Sequence, residues 1–186
     1  MIDNKLGEAK LYYLYMMADG EVTESEEIIF EAICKELKVH KKEKDTVIYK
    51  CTRLAEDSHN MLKVIKDSEI DIQAESLEDD EEYFREKSSL AGILWNLIYL
   101  GYADGFFSPE ERKIVDYFRK RWSIEDSIYY EMVDSAETIL SLTEHRKWIG
   151  STFRKGKTRD TKESTIDSDI SQVINDINVT ISELAM

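Results

Sequence analysis

Apolar residues recur every three or four positions along most of this chain, the period of helices buried on one face. In two stretches, Leu11 to Ala18 and Leu97 to Ala103, apolar character closes almost all the way round, as expected of helices at the centre of a core. The spacing predicts a first helix, capped by Asp3 or Asn4, to about Ala18. A second begins at Thr23 and buries Ile29, Ile33 and Leu37 with Phe30 alongside, leaving Glu24, Glu27, Glu31 and Lys35 in water. A third opens at His40 and runs to about Asp57, with Met61 to Ile65 as a short continuation. A fifth spans about Glu81 to Ala103, and a sixth starts at Ser108 and carries Ile114, Val115, Phe118 and Trp122. Ser123 with Asp126 reads as the N-cap of a seventh, reaching about Trp148.

The two apolar stretches end alike. Ala18-Asp19-Gly20 is followed by Val22, Thr23 and Glu26; 85 positions later Ala103-Asp104-Gly105 is followed by Phe107, Ser108 and Glu111. Gly after Asp marks a helix end, because glycine enters the left-handed region at little cost. Val22 and Phe107 are expected to point into the core. Thr23 and Ser108 are N-caps, and a Glu three residues on completes a capping box. Pro109, the only proline, falls where a helix does not need its N–H. The unit is helix, tight loop, helix, twice.

This pattern, Ala-Asp-Gly-x-Val/Phe-x-x-x-Glu in two copies, resembles the tellurite-resistance TerB-like family over roughly residues 5–150. The resemblance implies an all-α domain of two pseudo-symmetric helix–loop–helix halves. It also implies an acidic site that binds metal, and a setting in bacterial stress response or phage defence. The acidic run at 67–82 and everything after 150 fall outside the family pattern.

Composition narrows the classes. One proline and seven glycines in 186 residues argue for long helices. A net charge of −14 opposes bare nucleic acid and anionic membranes, so no direct nucleic-acid binding is expected. No apolar run approaches the ~20 residues of a membrane span. With no leader expected at Met1-Ile2-Asp3-Asn4-Lys5, the reading is cytoplasmic. Cys34 and Cys51 fall in helical patterns and are expected as buried free thiols.

The domain layout follows. Residues 1–150 form the helical domain, with 67–82 as an acidic connector of nine acids and no base. Residues 151–163, where Arg154, Lys155, Lys157, Arg159 and Lys162 are interspersed with Gly, Ser and Thr, read as a flexible basic linker. Residues 164–186 carry Ile170, Ile174, Ile177, Ile181 and Leu184, spaced four, three, four and three. That seam makes an amphipathic tail helix in need of a surface. The expected surface is a protein partner or a second copy, since 5–150 already supply a closed domain.

Candidate chemistry concentrates on four equivalent carboxylates, Asp19, Glu26, Asp104 and Glu111. If the halves pack together, these oxygens suit a hard cation, Ca²⁺ or Mg²⁺. The competing reading is structural: each Glu as a capping partner, each Asp as a turn former. His40, His59 and His145 are isolated, and no nucleophile elbow, phosphate loop or zinc-helix motif occurs. The expectation is therefore a non-enzymatic acidic scaffold with a candidate divalent-cation site. Two alternatives stand beside it: an acidic inhibitor or immunity protein covering a basic surface through 67–82, and a metal-assisted hydrolase using the four carboxylates. For the latter, Arg112 is the only candidate near either loop to orient a substrate.

Overall fold

The computed structural model describes residues 5–56, 58, 60–67 and 80–184, and of residues 80–89 the backbone alone. Among these the chain is all-helical, with no strand. The elements are α1 (Lys5–Met16), α2 (Glu24–Glu36), α3 (Lys41–Glu56), α4 (Met61–Asp67), α5 (Asp80–Gly101), α6 (Pro109–Arg121), α7 (Asp126–Thr152) and α8 (Lys157–Glu183). Asp3, Asn4, His59 and residues 68–79 of the acidic run lie outside the described residues.

The two helices that are apolar all round occupy the centre. α1 packs against α2, α3, α4, α5 and α6, and α5 against α1, α2, α6, α7 and α8. Leu11, Tyr12, Leu14 and Tyr15 of α1 are fully buried, as are Leu94, Leu97, Ile98 and Leu100 of α5. At about 1.5–3 kcal/mol for each side chain removed from water, this layer outweighs any surface interaction in the molecule. Asn96 donates to the Tyr12 hydroxyl at 3.2 Å across it. Cys34 and Cys51 are buried free thiols.

Local structure recurs with the 85-residue offset. Gly20 and Gly105 both adopt positive φ, +96° and +93°. Ala18 N–H donates to the Tyr15 carbonyl and Ala103 N–H to that of Leu100, each at 2.9 Å. Both capping boxes form, on Thr23/Glu26 and on Ser108/Glu111. The helices that follow end alike: Lys38 (φ 56°) and Ser123 (φ 51°) are the two non-glycine residues at positive φ among those described. Val39 N–H reaches the Cys34 carbonyl at 2.9 Å and Ile124 N–H that of Arg119 at 3.0 Å, the six-to-one bond of a Schellman ending.

That geometry corrects one expectation. Ser123 ends α6 rather than capping α7; Glu125 is the N-cap of α7 and makes no side-chain capping bond. Burial of Ile124, the residue after the left-handed position, supplies the apolar contact that holds a serine there. A second correction concerns α4, which is a separate helix: Asn60 Oδ1 accepts the Lys63 N–H at 3.0 Å and restarts the chain.

The larger corrections lie beyond residue 150. The expected flexible linker over 151–163 is a four-residue break, 153–156, between two helices of 27 residues each. Within the segment Thr161 returns its hydroxyl to the Lys157 carbonyl at 2.8 Å, and Arg159 bonds Glu163 at 2.8 Å one turn on. Gly150 lets α8 come close, since a Cβ there would lie 3.1 Å from the Arg159 guanidinium. α8 then folds back along α7 and reaches α5. Ile177 and Ile181 enter the main core, and Ile170, Ile174 and Leu184 pack half-buried against it. The apolar seam expected to await a partner or second copy is thus covered by its own chain. The reason is burial: each of these aliphatic side chains gains about 1.5–3 kcal/mol on leaving water, and α5 and α7 supply apolar surface.

Candidate functional site

Both Asp-Gly loops sit at one end of the central pair, α1 and α5. Each Asp closes its own turn: Asp19 Oδ1 accepts the Glu21 N–H at 3.1 Å, and Asp104 Oδ1 the Phe106 N–H at 2.8 Å. Both aspartates are exposed. Each Glu is buried, Glu26 at 4% and Glu111 at 3% exposure. Glu26 Oε2 accepts the Thr23 N–H at 2.7 Å and its hydroxyl at 2.9 Å. Glu111 Oε2 accepts the Ser108 N–H at 2.8 Å. So one oxygen of each carboxylate does structural work. The other, Oδ2 or Oε1, takes no hydrogen bond among the described residues.

Electrostatics link the four across the loops. Burial pushes the Glu111 carboxyl up to about 7; the bonds from Ser108 work against that, and the charges of Asp19 and Glu26 add to it. Glu26 is raised in the same way, first by burial, with Asp104 and Asp19 contributing and Thr23 opposing. Each Glu therefore feels the Asp of the other loop. Tyr15 lies among them: burial first, then Glu111 and Glu26, drive its hydroxyl far above the usual tyrosine range.

The Tyr15 hydroxyl is buried and has no hydrogen-bond partner among the described residues. Tyr15 is fully buried, so its hydroxyl does not reach the rim of the core. The signal that marks it is Gly101, where a Cβ would lie 2.4 Å from the Tyr15 hydroxyl and 2.8 Å from the Phe107 ring. Only glycine lets α5 approach α1 this closely.

Beside the first loop opens a cleft of about 460 Å³ floored by Met17, Ala18, Val22 and Met61, with Asp19 and Glu110 on its walls. Glu110, absent from the sequence-level candidates, pairs with Lys113 at 3.5 Å. Arg112 is turned away from the carboxylates: its Nε donates to the Phe107 carbonyl at 3.0 Å, with the guanidinium 4.8 Å from that ring. His40 and His145 are exposed.

Among the described residues no three His, Cys, Asp or Glu side chains converge closely enough to hold a metal ion as they stand. The four carboxylates share a field without sharing a ligand position. Compared with protein-family models, with curated proteins and with solved structures, the chain matches none. No described helix is long and apolar enough to cross a membrane.

Proposed function

We propose that the chain is a non-enzymatic, TerB-like acidic scaffold of two pseudo-symmetric halves, bridged by a divalent cation and working by binding another protein. The setting suggested by the resemblance is a bacterial stress-response or phage-defence complex. The recurrence of caps, turns and helix endings at one offset supports the two-half reading. One observation carries the cation reading: the Glu111 carboxyl is raised to about 7, first by burial and then by the charges of Asp19 and Glu26 from the other loop. Four anions held in one field, each with an oxygen left over, gain from any cation that neutralises them.

The donor set fits a hard cation in its chemistry, since all four are carboxylate oxygens. Asp19, Glu26, Asp104 and Glu111 would supply the ligands through the oxygens that capping leaves free. Bound Ca²⁺ or Mg²⁺ would supply positive charge that draws the two loops together. The engagement of Arg112 with Phe107 favours the scaffold over the hydrolase, which needs a cation to orient substrate. The test is calcium or magnesium titration of the thermal midpoint, because a ligand held only by the folded form raises it. No shift at millimolar metal would leave capping as the whole role of these residues.

A further inference from the structure

α7 and α8 leave the body of the molecule. Leu140 is the last residue of α7 packed against the main core, and Ile170 the first of α8. Between them every hydrogen bond, ion pair and ring contact among the described residues stays within the hairpin. Twelve residues of α7 beyond Leu140 make an arm of about 18 Å, longer than the ~8 Å over which salt screens a charge. Below the arm α7 passes the Asp104 loop, since Tyr102 donates to Glu137 at 2.8 Å and a Cβ at Gly105 would lie 3.9 Å from Leu140.

Charge divides sharply along it. From Glu144 to Glu163 there are seven Lys or Arg and three acids; the remainder of the hairpin, 126–143 and 164–183, has eight acids and no base. Among the described residues, Lys147, Lys155 and Lys157 at the tip are exposed and make no ion pair. At the base a groove of about 460 Å³ between the helices is walled by Asp134, Asp176 and Glu131, with Tyr130 at its edge. One face of α7 joins the two ends: Tyr130, Asp134, Thr138, Ser141, His145 and Trp148, spaced four, four, three, four and three, all exposed. Tyr130 is 60% and Trp148 54% exposed, large aromatics at opposite ends of one stripe.

We infer that this outer face of the hairpin is the interface of a two-fold dimer, in which two copies lie antiparallel and the basic tip of each covers the acidic base of the other. A two-fold axis between Thr138 and Ser141 sets Trp148 opposite the other copy's Tyr130 and His145 opposite its Asp134. Such an interface is self-complementary, as a two-fold contact must be. Each 27-residue helix is about 40 Å long, and a face two helices wide spans about 20 Å. The ~800 Å² per partner that results is the usual size of a stable interface. The seam on the inner side of α8 is already covered, so this assembly uses the face that folding leaves free. It does not depend on the cation.

Sedimentation of the full chain tests it. The wild type is expected to be a dimer that weakens as salt rises from about 0.05 to about 0.5 M. A tip variant (Lys147→Glu, Lys157→Glu) and a base variant (Asp134→Lys, Asp176→Lys) should each weaken self-association at least about tenfold. Mixed, they should form a one-to-one heterodimer, because each tip then faces an opposite charge. All four positions are exposed, and circular dichroism checks that the variants fold. A wild-type monomer at low salt overturns the inference. So does a dimer indifferent to both reversals, or a mixture that stays monomeric. Binding of the monomeric wild type to anionic vesicles or single-stranded RNA would assign the tip to another partner and equally overturn it.

Discussion

Replacing Glu111 with Gln isolates the electrostatic strain of the buried carboxylate. Glutamine keeps the shape and can still accept the Ser108 N–H, so the capping box survives while the charge goes. A carboxyl that holds its proton to about 7 in the fold, against 4.5 when unperturbed, costs the folded state about 3 kcal/mol once ionised. Because the folded pKa is the raised one, this group's contribution to stability is fully present below 4.5. It is lost as pH rises to 7 and is level above that. In metal-free buffer Glu111→Gln should therefore be nearly neutral at pH 4. It should gain progressively between pH 4.5 and 7 and stabilise by about 2–3 kcal/mol at pH 8. For a chain of this size that is a rise of roughly 5–10 °C in thermal midpoint. Melts followed by circular dichroism across pH 4 to 8.5 measure it. A difference that does not change with pH, or a loss at pH 8, would refute the reasoning.

Other outcomes follow from packing. Gly101→Ala should destabilise by about 1–3 kcal/mol, because its Cβ meets the Tyr15 hydroxyl and the Phe107 ring. Tyr15→Phe, which removes a buried hydroxyl without a partner among the described residues, should be neutral or stabilising and should recover part of the Gly101→Ala loss in the double variant. Urea denaturation of the four proteins measures the cycle. Ile177→Ala should cost about 2–5 kcal/mol, and deletion of 164–186 should unfold the remainder, since α8 completes the core. A truncated protein with an unchanged melt would show that α8 is dispensable.

The sequence displays what is decided locally. Thr23 with Glu26 and Ser108 with Glu111 announce capping boxes by spacing alone, and both form. The Asp-Gly turns are legible for the same reason, glycine being cheap at positive φ. Features decided by packing are not. Ser123 is an N-cap by chemistry but adopts a left-handed ending because Ile124 is drawn into the core. Composition over 151–163 suggests a linker, yet the Arg159–Glu163 pair one turn apart and the close fit of α8 against Gly150 accompany a helix over most of it. The seam of α8 was visible, but its periodicity carries no information about which surface it covers. The four carboxylates were identifiable as equivalents, whereas the influence of Asp104 on Glu26 and of Asp19 on Glu111 depends on how the halves meet. Tyr15 lies in the apolar run of α1, and only the close approach at Gly101 marks its hydroxyl, which has no partner among the described residues.

The central claim is that one cation is shared between the loops, and the thermal midpoint with and without calcium or magnesium tests it most directly. At pH 7.5 the wild type should gain several degrees in millimolar metal, as roughly 2–3 kcal/mol of linkage would give. Asp19→Asn and Asp104→Asn should each abolish the gain, though they lie 85 residues apart on different loops. A wild type that ignores both metals, or a gain that survives either substitution, would contradict a shared site.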